Sequence, residues 1–286
     1  MGHGTYSYTD RGARSDSLGY TTKSTYEIFK QRDINSAMNP YGVKMRESKD
    51  STEHPNSLAI ILALDVTGSM GSVPHFLVKN GLPNIMDSII KNGIKDPQVL
   101  FLGIGDHECD EAPLQVGQFE SGDELLDKWL TDIYIEGGGG ANDGESYLLA
   151  WYFAGYHTTI DCFERRNKKG FLFTIGDEPV LKKISKRRIQ NIMGDGQYDD
   201  FTATMLYERA CKMYNVYHIH IRETGSGSRE SVVSGWKQIL RDNLIIADHR
   251  EDVANIISSI VTQKIDDIIP TIEAISEVSK EETMML

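Results

Sequence analysis

From residue 57 onward the chain alternates short apolar runs with longer amphipathic stretches. The first run, 58–64, holds seven apolar residues and ends at Asp65. An uninterrupted apolar run of that length, closed by turn residues, predicts a strand buried on both faces. The runs at 98–104, 170–175, 216–221 and 244–247 predict four more strands, and the alternating stretch at 114–119 predicts a short edge strand. Helical patterns fall between them. They cover about 72–91 with Pro74 in the first turn, 122–131 with Ser121 as the cap, a stretch ending near 157, and then 180–190, 201–214, 229–241 and 250–267. Strands alternating with helices in this way predict an α/β domain around a mostly parallel sheet.

Residues 1–56 differ in composition. Tyr, Ser, Thr, Gly and Arg dominate, aliphatic residues are few, and only 25–32 reads as a helix, capped by Ser24 or Thr25. Such a segment cannot bury much surface by itself. We read it as an arm, partly extended or disordered, that orders against the main domain or a neighbouring subunit. Its tyrosines (Tyr6, Tyr8, Tyr20, Tyr26, Tyr41) favour an interface role. The domain proper is expected over 57–268, followed by an acidic tail at 269–286.

Composition narrows the function. With 286 residues, 40% hydrophobic and 25% charged, the chain is of ordinary globular make-up. A net charge of -12 argues against nucleic acid as a partner, because phosphate contacts need Lys and Arg. The basic run 182–188 reads as a solvated face or a partner patch. No apolar run reaches the ~20 residues of a membrane span, and the N-terminus has no apolar leader core, so a cytoplasmic protein away from the membrane is expected. Cys109, Cys162 and Cys211 form neither a disulfide framework nor a paired zinc spacing.

The candidate chemistry sits at strand ends. Ligand sites in open parallel sheets lie beyond the carboxyl ends of the strands. Asp65, Thr67 and Ser69 follow the first strand at alternate positions and offer only hard oxygens, which suit Mg²⁺, Ca²⁺ or Mn²⁺. A capped turn would use the same residue types. A glycine-rich loop, 136–145, carries Asn142, Asp143 and Glu145 at a helix start. Asp177 follows the strand at 170–175, and Asp106, His107 and Glu108 follow the strand at 98–104.

The stretch Asp65-Val66-Thr67-Gly68-Ser69 resembles the first motif, Asp-x-Ser/Thr-x-Ser, of von Willebrand factor A (VWA) domains. Asp177, in Thr174-Ile175-Gly176-Asp177-Glu178-Pro179, is similar to their third-motif carboxylate. The second loop lacks the usual threonine. It is closer to family members reading Gly-Gly-Gly-Asp-x-x-Glu, with Asn142 where that aspartate stands. The resemblance covers about 57–262 and is to the intracellular prokaryotic or phage-like type. It implies a doubly wound, Rossmann-like sheet of six strands with helices on both faces, in the order 3-2-1-4-5-6, the strand near 114–119 antiparallel at one edge. It also implies a metal-ion-dependent adhesion site (MIDAS) of Asp65, Thr67, Ser69, Asn142 and Asp177. Asp106, Asp143 and Glu145 stand outside the direct ligands. The ion would be Mg²⁺, or Ca²⁺ or Mn²⁺, the partner a protein donating a carboxylate, and a MoxR-type AAA+ ATPase is the kind of neighbour such proteins work beside.

Three other readings compete. An aspartyl phosphatase of the haloacid dehalogenase type needs a second aspartate where this chain has Thr67. Zinc is the second, but the pairs His107/Cys109 and His157/Cys162 lack repeat partners, and His218 and His220 read as packed or surface histidines. The third is a structural protein forming a homo-oligomer through its arm, the metal site being secondary. A non-enzymatic, metal-dependent binding module is the expectation carried forward.

Overall fold

The computed structural model describes residues 4–70, 73–136 and 144–266. Its central sheet has six strands: β1 (Leu58–Asp65), β2 (Pro97–Ile104), β3 (Leu114–Val116), β4 (Gly170–Gly176), β5 (Tyr214–Ile221) and β6 (Leu244–Ala247). They lie side by side as β3-β2-β1-β4-β5-β6. Every neighbouring pair is parallel except β2 and β3, which are antiparallel. This is the expected 3-2-1-4-5-6 order. All eight residues of β1 and all eight of β2 are buried, the physical reason their apolar runs are unbroken.

Helix Tyr147–Tyr156 is apolar all round and buried from Tyr147 to Gly155. It lies between the sheet and helix Ala203–Ala210, whose Arg209 Nε donates to the Gly155 carbonyl at 2.9 Å. A wholly apolar helix of this kind can only be a core element.

Local differences from the expected elements have local causes. The helix expected over 72–91 is broken into Val73–Phe76, one π-turn over Leu77–Gly81, and Leu82–Lys91. The wide turn ends two residues before Pro83, which has no N–H to give to a four-residue ladder. Helix Asp123–Thr131 is capped at Gly122, not Ser121, because the Ser121 hydroxyl donates to the Pro97 carbonyl at 3.1 Å. The stretch expected as a helix from 180 first pairs Lys183–Ile184 with Phe201–Thr202, and only then forms helix Lys186–Met193.

Residues 4–56 lie along the same chain's own domain. Helix Tyr8–Leu18, which the sequence pattern did not predict, packs on helix Asp123–Thr131. The buried Arg11 guanidinium is 2.9 Å from Asp127 and donates to the Val78 carbonyl at 2.7 Å. The Tyr20 hydroxyl donates to Asp127 at 2.8 Å. The helix expected over 25–32 is a single turn, Thr25–Ile28, closed by a Ser24–Glu27 capping box. Further on, Arg46–Ser48 pairs in parallel with Thr158–Ile160.

Candidate metal centre at the switch point of the sheet

The chain leaves β1 for β2 on one side of the sheet and returns to β4 on the other. The crevice above β1 and β4 is therefore the topological switch point, where open α/β sheets bind ligands. Leu64 is in register with Ile175, so Asp65, the last residue of β1, and Asp177, just past β4, share this rim. Both are fully buried. Asp65 Oδ1 accepts from the Thr67 amide at 3.0 Å and from the Thr67 hydroxyl at 2.6 Å. Its Oδ2 accepts from the Tyr147 hydroxyl at 2.5 Å. Burial, and then the negative charge of Asp177, push the Asp65 carboxyl up to about 7 against the downward pull of these hydrogen bonds.

Tyr147 was not among the residues singled out from sequence. It opens the buried helix Tyr147–Tyr156, and its ring sits edge-on to His218 at 5.1 Å and to Trp236 at 5.3 Å. Gly176 makes room for it: a Cβ there would lie 1.9 Å from the Tyr147 oxygen. The available signal was a polar aromatic residue beginning an otherwise apolar helix directly after the glycine-rich loop. Burial, then the Asp65 carboxyl, hold the Tyr147 phenol well above its ordinary range, so it stays a donor.

The second loop is reached only at its edges. Asn142 and Asp143 lie outside the described residues, as does the Ser69 side chain. Glu145 is at the rim and nearly buried, tied through its backbone to Pro179 and Leu181 of the third loop at 2.8 and 3.0 Å. Burial first, then the charges of Asp65, Asp110 and Asp106, push its carboxyl up to about 10, so it is neutral at pH 7. Asp106 is buried beside it, accepting from the Glu108 amide at 2.8 Å. Ser146 fastens this loop to the one after β2: its amide donates to Gly105 at 3.0 Å, and its hydroxyl accepts from the His107 amide at 2.8 Å.

Among the described residues no three His, Cys, Asp or Glu side chains gather as a metal cluster. The rim instead offers two carboxylates and a hydroxyl, all hard oxygens, with an excess of negative charge that a divalent cation would offset. That donor set fits Mg²⁺, Ca²⁺ or Mn²⁺. The histidine and cysteine pairs are occupied elsewhere. His107 Nδ1 meets the Ser146 hydroxyl at 2.7 Å, His157 meets the Lys44 carbonyl and the Tyr152 hydroxyl, and His218 stacks on Trp236 at 3.6 Å. None of the three cysteines is in a disulfide. No helix among the described residues is long and apolar enough to cross a membrane.

No family model and no curated protein matches the chain. Solved structures do. The pilus adhesin SpaC from Lactobacillus rhamnosus GG, in its open conformation, superposes with a TM-score of 0.50 at 11% identity over 77% of this chain and 31% of SpaC. Strand order, the turn at the switch point and this superposition agree. The fold is VWA-like. Proximal thread matrix protein 1 from the mussel byssus also matches, with a TM-score of 0.48 at 10% identity over 72% of this chain and 47% of that one. A second structure of that protein, described as having a zinc-occupied MIDAS motif, gives 0.46 at 11% identity. The chain thus spans about a third of SpaC and about half of the byssus protein. In this VWA-like domain Asp65 and Thr67 come from the first strand end and Asp177 from the third loop, side by side.

Proposed function

We propose that the chain is a divalent-cation-dependent protein-binding module that captures an acidic side chain of its partner. The observation that carries this reading is the pairing of two buried carboxylates, Asp65 and Asp177, with the Thr67 hydroxyl at the switch point. Asp65, Thr67 and Asp177 would hold the ion together with Ser69 and Asn142. The ion, Mg²⁺ or else Ca²⁺ or Mn²⁺, would supply an open coordination position for an incoming carboxylate. The protein's own part is to aim the oxygens. Tyr147 steadies one edge of the Asp65 carboxyl, Gly176 leaves room for Tyr147, and Ser146 fastens the neighbouring loop. The module is not an enzyme in this reading. Thr67 occupies the place of a phosphatase acid/base, and its hydroxyl donates to Asp65. The family resemblance adds an intracellular setting and a MoxR-type AAA+ ATPase as a candidate partner.

Manganese titration followed by electron paramagnetic resonance tests the site. One bound Mn²⁺ per chain is expected, displaced by Mg²⁺ and lost in Asp65→Ala. Equal binding by Asp65→Ala would end the proposal. A pull-down from native extract with and without chelator then tests the partner, which should be released when the ion is removed.

A further inference from the structure

The opposite end of the sheet carries a second site. Leu58, at the start of β1, lines a cavity of about 660 Å³. Seven strand steps separate it from Asp65, or about 23 Å, so the two sites share no residue. The cavity is of the size that takes a small organic molecule. Leu58, Ile94 and Phe171 give it an apolar floor. Lys95, Arg166, Lys168, Lys169 and Lys264 also line it, and among the described residues no carboxylate does. For a chain of net charge -12, a concave surface lined by five cations and, among the described residues, no anion is the reverse of the average.

The cations are not equivalent. Arg166 is paired with Asp50 and donates to the Ser57 carbonyl, so it braces the wall. The Lys169 ammonium donates to the Cys211 carbonyl at 2.6 Å. Lys95 and Lys168 have no ion pair among the described residues, and they enter from two different loops, before β2 and before β4. Two free ammonium groups above an apolar floor select a ligand with a charged head and a greasy body. An inorganic anion would leave the floor wet, and a neutral lipid would leave the lysines unused.

We propose that this cavity binds a small amphiphilic anion, a carboxylate or phosphate head on an apolar body, independently of the metal centre. The probe is 8-anilinonaphthalene-1-sulfonate, whose fluorescence rises in apolar surroundings, titrated into the full chain. One saturable site is expected. The Lys95→Glu/Lys168→Glu variant should weaken it about tenfold or more, since each reversal replaces an attraction by a repulsion. Decyl phosphate should displace the probe and decanol should not. A chelator should change nothing. Lys95 is exposed and Lys168 half-buried, and a melting curve checks that the variant folds. Should it melt early, Lys95→Gln/Lys168→Gln replaces it, with a smaller loss expected. Absence of saturable binding, binding indifferent to the folded lysine variants, or equal displacement by decanol would each overturn the proposal.

Discussion

Asp65 ends a strand with no exposed atom and faces a second buried carboxylate. Its carboxyl rises to about 7, against 3.8 for an ordinary aspartate. Between those values the folded chain keeps a proton that the unfolded chain has released. Stability of the chelated protein should therefore fall as pH rises through that window, by up to about 1.4 kcal/mol per pH unit for one proton. Below the window both states hold the proton, and above it neither does, so the contribution is flat on either side. Urea midpoints in chelator, compared for wild type and Asp65→Asn, read this directly. An Asp65→Asn variant with the same pH slope would rule it out. The same residue scale explains Gly176. Ala in its place would drive a Cβ onto the Tyr147 hydroxyl, 1.9 Å away. Gly176→Ala should cost about 1–3 kcal/mol by overpacking. Tyr147→Phe removes the first atom in the way, so the double variant should lose less than the sum of the two singles. Additive losses in a double-mutant cycle would mean that the clash is not with Tyr147.

At the scale of elements, what was legible depended on where each element gets its stability. The strands announced themselves because burial on both faces leaves no room for polar residues, and the switch-point pair Asp65 and Asp177 followed from where those strands stop. Tyr147 was missed because an all-apolar helix reads only as core, and one hydroxyl in it does not show where it points. Helix Tyr8–Leu18 was missed for a different reason. Its sequence is polar and includes Gly12, and beyond a Ser7 cap what holds it is tertiary: Arg11 on Asp127 and Arg14 on Asp123 at 2.9 Å. Arg11 is nearly inaccessible, yet its Nε and Nη1 have no hydrogen-bond partner. The pair is therefore an anchoring device more than a source of net stability. Removing one half is still costly, because Asp127 would be left buried against the Tyr20 hydroxyl alone. Arg11→Ala should lose about 3 kcal/mol by denaturant unfolding, and proteolysis near residue 20 should quicken. A loss below about 0.5 kcal/mol, the range of ordinary surface changes, would show that the arm is not fastened there.

At the scale of the whole molecule, the two ends of one sheet carry opposite charge. The carboxyl rim gathers Asp65, Asp177 and Asp106, with Glu145 held neutral beside them, and the other end gathers the five cations of the cavity. The acidic rim was visible in the sequence because Asp65, Asp106 and Asp177 each follow an apolar run. The basic end was not, since its lysines come from three separate segments that only the fold brings together. This polarity makes the metal reading testable without knowing any partner. An ion that binds the folded state alone stabilises it by mass action, about 2.7 kcal/mol at one hundred times its dissociation constant. For a domain of this size that raises Tm by roughly 5–10 °C. Wild type melted in Mg²⁺ or Mn²⁺ should show the rise over wild type in chelator. Asp65→Ala should show none, because the ion has lost a carboxylate. Lys95→Glu/Lys168→Glu should keep the full rise, since sites this far apart with no common residue behave additively. If instead the lysine variant loses the metal-dependent rise, the two ends are coupled through the strands. If Asp65→Ala retains the rise, the ion sits elsewhere and the rim carboxylates are paired for some other purpose.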